Sequence, residues 1–164
     1  MNAIDYALAF EEDGKKYYNE QSLRSKRDEI RSLFLMLASD EDRHYKIIEK
    51  FKEGVYEYLP TQTFKNMPTL FNNLKNQNID LSGSEDLLKV YDEAIKIEIK
   101  SRDFYKQSAL ESNNSKEREI LEIISNEEDK HRIILENLME FTRKGKEWVE
   151  SAEFSHIDQL LRGE

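Results

Sequence analysis

Residues 38–48 read ASDEDRHYKII, and this stretch decides the fold because an acid and an imidazole interrupt an otherwise apolar helical stripe. The stripe runs Ile30, Phe34, Leu37, Glu41, His44, Ile48 and Phe51 at spacings of three and four, the period of one helix face. Glu41 and His44 therefore stand where the pattern reserves places for core residues. Residues 125–135, SNEEDKHRIIL, repeat the arrangement. There the stripe is Leu121, Ile124, Glu128, His131, Leu135 and Leu138, again with a Glu-x-x-His pair inside it.

Working outward, two more helices carry the same kind of stripe. One spans about 3–23, with Asn2 as its cap and Ile4, Ala7, Glu11, Gly14 and Tyr18 along one face. The other opens after Ser84 and runs to the Ser-Asn-Asn break at 112–114, with Leu87, Tyr91, Ala94, Glu98, Ser101 and Tyr105 in line. The Glu41 helix is expected over 28–54, and the Glu128 helix from Ser115 past Phe141. Subtraction then shows a repeat. Glu11/Glu98, Tyr18/Tyr105, Glu41/Glu128 and His44/His131 are all 87 residues apart, as are Ala7/Ala94, Leu23/Leu110, Asp42/Asp129 and Ile47/Ile134. The chain reads as one helical hairpin written twice.

Between the hairpins, residues 55–84 hold both prolines, Pro60 and Pro68, and the Ser-Gly-Ser at 82–84. This is too long for a tight turn and suits a crossover that returns the chain along a bundle. A short helix is expected near Thr69–Asn76, with Tyr56, Tyr58, Leu59, Phe64, Met67, Leu70 and Phe71 packing on the bundle or on a second subunit. The fold expected is all-α, a four-helix bundle of two repeated hairpins joined by a long crossover over 1–146, with a tail at 147–164 docking a short helix around Trp148 and Phe154.

Composition agrees. With five Gly and two Pro in 164 residues, little breaks long helices, and no stretch alternates in the manner of a strand. A net charge of -9 leaves no basic face for phosphate, which argues against nucleic acid as a partner. No window approaches a membrane span of roughly 18 apolar residues, and no basic-then-apolar leader opens the sequence. The absence of cysteine excludes disulfides, thiolate metal sites and a rubredoxin-type centre within these residues. A cytoplasmic location is the expectation.

Residues three apart on a helix project about 60° from each other, so each Glu-x-x-His pair can address one point. Glu11 and Glu98 add one carboxylate each. Four acids and two imidazoles would converge where unpaired ionised groups cost several kcal/mol apiece. Two divalent cations balance four carboxylates. An oxygen-rich set without sulfur favours iron or manganese, with zinc competing by affinity.

One Glu from each of two helices and a Glu-x-x-His from each of the other two is the ferritin-like di-metal arrangement. More narrowly, ALAFEEDGKKYY with LASDEDRH, and AIKIEIKSRDFY with ISNEEDKH, resemble the paired halves of the rubrerythrin di-iron domain. The likeness covers about residues 3–142, and WVESAEF in the tail resembles rubrerythrin-related chains too. The resemblance implies that Glu11, Glu41, His44, Glu98, Glu128 and His131 bind two irons. The four glutamates would be the catalytic carboxylates, shifting coordination as charge changes, and Tyr18 and Tyr105 would hydrogen-bond them from behind. Asp40 and Glu127 could hold the imidazole of the opposite hairpin, or could face solvent.

The resemblance implies reduction of hydrogen peroxide, or dioxygen, with electrons from a separate donor such as a rubredoxin-like protein. The alternative is an iron-storing ferroxidase, or a bundle whose metal is structural. Rubrerythrins proper often place a further glutamate where this chain has Ser101, so a more symmetric site without peroxide-linked iron movement is expected. Gly14 and Ser101, at matching positions, would leave room beside the metals. A homodimer formed through the crossover is also expected, with exchange of hairpins left open. Glu153 and His156 make a third Glu-x-x-His match, but it has no counterpart at the repeat offset and reads as a surface or capping pair.

Overall fold

The computed structural model describes residues 2–77 and 85–144, and all regular structure among them is helical. The helices are α1 (Ala3–Arg24), α2 (Asp28–Phe51), α3 (Thr63–Asn76), α4 (Glu85–Glu111) and α5 (Ser115–Lys144). Ser84, the Ser-Gly-Ser of the crossover and the whole tail reading, with Trp148, Glu153, Phe154 and His156, lie outside the described residues. No helix of the described residues is long and apolar enough to cross a membrane.

The helix ends follow local chemistry. Asn2 Oδ1 accepts from the Asp5 amide at 2.9 Å and opens α1, satisfying a donor that a helix start leaves without a partner. Asn114 Oδ1 does the same for α5, accepting from the amides of Lys116 and Glu117 at 3.0 and 3.1 Å. α2 ends at Phe51, three residues before the expected limit. Gly54 has φ +72°, and the amides of Gly54 and Val55 return to the carbonyls of Phe51 and Lys50 at 3.1 and 3.0 Å. That is the left-handed closure for which glycine is suited. α3 starts at Thr63, earlier than the expected Thr69, and contains Pro68. Proline deprives the Phe64 carbonyl of its helical donor. The helix nevertheless buries Phe64, Met67, Leu70, Phe71 and Leu74 on one face, and that burial outweighs one missing bond.

α1 packs along α2 and α4 along α5, and α3 lies on α2. Matching ion pairs tie each hairpin: Lys15 to Asp42 at 3.0 Å in the first, and Arg102 to Asp129 at 2.7 Å in the second. Both partners of one pair lie 87 residues from those of the other, so the repeat survives in side-chain contacts. Two apolar clusters fill the bundle. One gathers Phe34, Leu37, Tyr91, Leu135 and Leu138 with the buried face of α3. The other gathers Ala7, Ile47, Phe51, Ala109, Leu121 and Ile124. Between them lies a polar layer.

Candidate metal centre

The polar layer contains all six residues singled out from the two stripes. Glu11 comes from α1, Glu41 and His44 from α2, Glu98 from α4, and Glu128 and His131 from α5. Each is at most 2% exposed. Their donor atoms form two overlapping groups, Glu11–Glu41–His44–Glu128 and Glu41–Glu98–Glu128–His131, and within each group one atom per residue lies within 4.8 Å of the others. Glu41 and Glu128 belong to both. Each group thus has one imidazole, one carboxylate of its own and two shared carboxylates.

The inner atoms of this layer lack hydrogen-bond partners. Glu11 Oε2, Glu41 Oε1, Glu98 Oε2, both oxygens of Glu128, and Nδ1 of His44 and His131 are all buried without one. His44 Nδ1 is 2.8 Å from Glu128 Oε1 and 3.6 Å from Glu11 Oε2, and His131 Nδ1 is 3.5 Å from oxygens of both Glu41 and Glu98. Two donors bound at right angles to one ion, with bonds of about 2.1 Å, stand about 3 Å apart. Orphaned donors at such spacing suit divalent cations, and oxygen with imidazole nitrogen is the donor set of iron or manganese.

The outer atoms of Glu11, Glu98 and both histidines are engaged, and the bonds cross between hairpins. Tyr18 of α1 donates to Glu98 of α4, and Tyr105 of α4 donates to Glu11 of α1. His44 Nε2 donates to Glu127 Oε1 at 2.9 Å, and His131 Nε2 to Asp40 Oδ2 at 2.8 Å. Of the two readings open for Asp40 and Glu127, the structure takes the inward one. The pairing shows that α1 runs antiparallel to α4, and α2 to α5. A carboxylate behind an imidazole fixes the tautomer and turns Nδ1 inward. Gly14 is the close approach in the layer. A Cβ there would come within 2.8 Å of Glu41 Oε2. Its repeat mate Ser101 is buried, in keeping with a position of limited room.

Without a cation, protons take up the charge. Burial, and then the neighbouring acids led by Glu128, push Glu41 and Glu98 well above the usual carboxylate range. Burial acts the same way on Glu128, but the closeness of Glu98 and the charge of His44 outweigh it and hold that carboxyl well below its ordinary value. Burial would lower both histidines. Glu11 and Glu128 around His44, and Glu98 and Asp40 around His131, raise them well above the ordinary imidazole value. Asp40 sits at about 2, because His131 and Thr61 overcome its burial. Burial and then Glu98 or Glu11 raise Tyr18 and Tyr105 well above the phenol value, so both remain donors.

The rubrerythrin family model matches residues 2–139, which include all six donor residues of this layer. The chain belongs to the rubrerythrin family. Membership in that family implies a di-iron site of the ferritin-like kind, and the buried carboxylate–histidine layer fits one. No curated protein and no solved structure matches the chain.

Sequence reasoning passed over the outer wall of this rubrerythrin-family site. Arg43 donates to Glu127 and, at 2.5 Å, to the Leu59 carbonyl. Tyr58 donates to Glu127 Oε2 and Thr61 to Asp40 Oδ1, each at 2.5 Å. The start of the crossover therefore closes over both carboxylates that hold the imidazoles. Nothing in the spacing of these residues marks them, since Tyr58 lies 69 positions from Glu127 and has no mate in the repeat.

Proposed function

We propose that the protein is a di-iron oxidoreductase that reduces hydrogen peroxide with electrons from a separate donor protein. Glu11, Glu41, His44, Glu98, Glu128 and His131 would hold the irons. The observation that carries this reading is the pair of overlapping four-donor groups whose inner atoms have no partner in the protein. When bound, an iron pair supplies the two electrons of H2O2 + 2 H+ + 2 e− → 2 H2O.

The chain's own groups set the conditions for that chemistry. Glu41 and Glu128, common to both groups, would each serve both metal positions. Tyr18 and Tyr105 keep their hydroxyl protons, donate to Glu98 and Glu11 and limit how far those carboxylates swing. Asp40 and Glu127 keep the histidines aimed inward. The apolar clusters on either side exclude bulk water. With no cysteine among these 164 residues, a thiolate-bound iron cannot deliver electrons from within them, which supports the external donor.

The test is an anaerobic Fe(II) titration followed by rapid mixing with hydrogen peroxide, read by near-ultraviolet absorbance of the oxidised pair. Two irons per chain, oxidised faster by peroxide than by dioxygen and re-reduced repeatedly by an added donor, are expected. Iron that accumulates far beyond two per chain would overturn the reading in favour of storage. Two irons that barely react would leave them a structural role.

A further inference from the structure

We infer that Arg43 is a positioning residue that sets the electron-donating strength of both histidines, and with it the reduction potential of the metal pair. It acts through Glu127 and Asp40. The inference rests on the reading of the six buried donors as metal ligands.

One guanidinium serves two carboxylates. The Arg43 side chain is 11% exposed; its Nη2 donates to Glu127 Oε1, and its Nε stands 3.5 Å from Asp40 Oδ1. Those two acids hold the two imidazoles from opposite hairpins, His44 on Glu127 and His131 on Asp40. Tyr58 frames the cation, with its ring centroid 5.6 Å from the guanidinium carbon and its hydroxyl on Glu127. Apart from the histidines themselves, Arg43 is the cation paired with these acids among the described residues.

The repeat makes the placement informative. The residue 87 positions after Arg43 is Lys130, whose ammonium lies 4.9 Å over the Phe64 ring instead of on the acids. A fixed charge therefore enters a nearly two-fold layer from one side only, closer to the His44–Glu127 pair than to the His131–Asp40 pair.

A carboxylate that accepts an imidazole N–H makes the other ring nitrogen a stronger donor to a metal. A guanidinium bound to that carboxylate withdraws part of the effect and adds a positive charge a few ångströms behind the ring. Both actions favour the reduced metal pair. Arginine suits the role because it stays charged and its planar fork can reach two acids at once. Removing the charge strengthens both histidines as donors, His44 more than His131.

The experiment is a redox titration of iron-loaded wild type, Arg43→Gln, Arg43→Lys and Tyr58→Phe, monitored by absorbance with neither peroxide nor donor protein present. Metal content is measured alongside. In Arg43→Gln the reduced-to-oxidised ratio at a fixed potential should fall at least tenfold, which is 59 mV for one electron. Arg43→Lys should recover most of the shift. Tyr58→Phe, which removes a neutral donor from Glu127, should shift the ratio in the same direction by less. An unchanged potential in Arg43→Gln, or equal shifts for Gln and Lys, overturns the inference. Should neither Arg43 variant fold, an unshifted Tyr58→Phe overturns it. Wild type that fails to take up two irons removes the ligand reading and the inference with it. Slow peroxide reaction at an Arg43-dependent potential overturns the peroxidase reading alone.

Discussion

Replacing Gly14 with alanine should weaken metal binding while leaving the metal-free fold intact or slightly firmer. The added Cβ would stand 2.8 Å from Glu41 Oε2, where ordinary contact begins at 3.4 Å, so one side has to yield by about six tenths of an ångström. Glu41 is the softer side, being the end of a side chain facing helical backbone. Its carboxylate is shared by both donor groups, and ligand geometry tolerates errors of only about 0.5 Å. A loss of about 10–100-fold in affinity is expected, roughly 1.4–2.8 kcal/mol, the range found when the support of a metal ligand is disturbed. Against that, alanine gains about 1 kcal/mol over glycine within a helix. Urea melts of the apo protein and competitive Co(II) titrations separate the two effects. Ser101→Ala is the control at the matching position and should change little. Unaltered Co(II) affinity in Gly14→Ala would refute the reasoning, and a large loss of apo stability would show that helix α1 yields instead of the carboxylate.

Glu41→Ala and His131→Ala should each lose metal and keep helical circular dichroism; full retention of metal in both would contradict the ligand assignment. Tyr18→Phe and Tyr105→Phe should weaken Co(II) binding by similar factors of about ten, because each removes one donor from a carboxylate of one group; a large effect in one and none in the other would mean that the two halves are not equivalent. Stability of the apo protein should fall from about pH 5 to pH 8, measured by urea midpoints. Glu41 and Glu98, raised on folding, contribute fully below their unfolded value of about 4.3 and less as pH climbs toward their folded values; His44 and His131, also raised, contribute fully below about 6.5 and are lost as pH rises further. Asp40, Glu127 and Glu128, lowered on folding, act oppositely and withdraw support only as pH drops below about 4. A flat or rising profile from pH 5 to 8 would show that the acids are not clustered.

The six buried donors were legible in the sequence because helix periodicity forces a choice. A residue in the Ile30–Phe51 stripe points inward whatever its polarity, so Glu41 and His44 had to be buried and compensated. The repeat supplied the second half. Two helix starts were equally legible, α1 from the Asn2 cap and α5 from the Ser-Asn-Asn break before Ser115. The onset of α3 was not, because Pro68 reads locally as a breaker and only the packing of Phe64 and Met67 against the bundle overrides it. Arg43 was hidden for another reason. It stands in a run of alternating charges that looks like a solvated face, and its partners Leu59 and Glu127 are 16 and 84 residues away. Periodicity reports which side of a helix is buried, not which distant groups meet there.

The four bonds that cross between hairpins bear on how the molecule is made. Each hairpin carries one member of every cross-bonded couple and three of the six inner donors, so neither can satisfy its own buried acids. During synthesis the first hairpin emerges with Glu11, Glu41 and His44 facing no counterpart, and a settled interior has to await α5. The same arrangement is nearly self-complementary. A single hairpin meeting a second copy of itself would offer the same kinds of groups in the same antiparallel register.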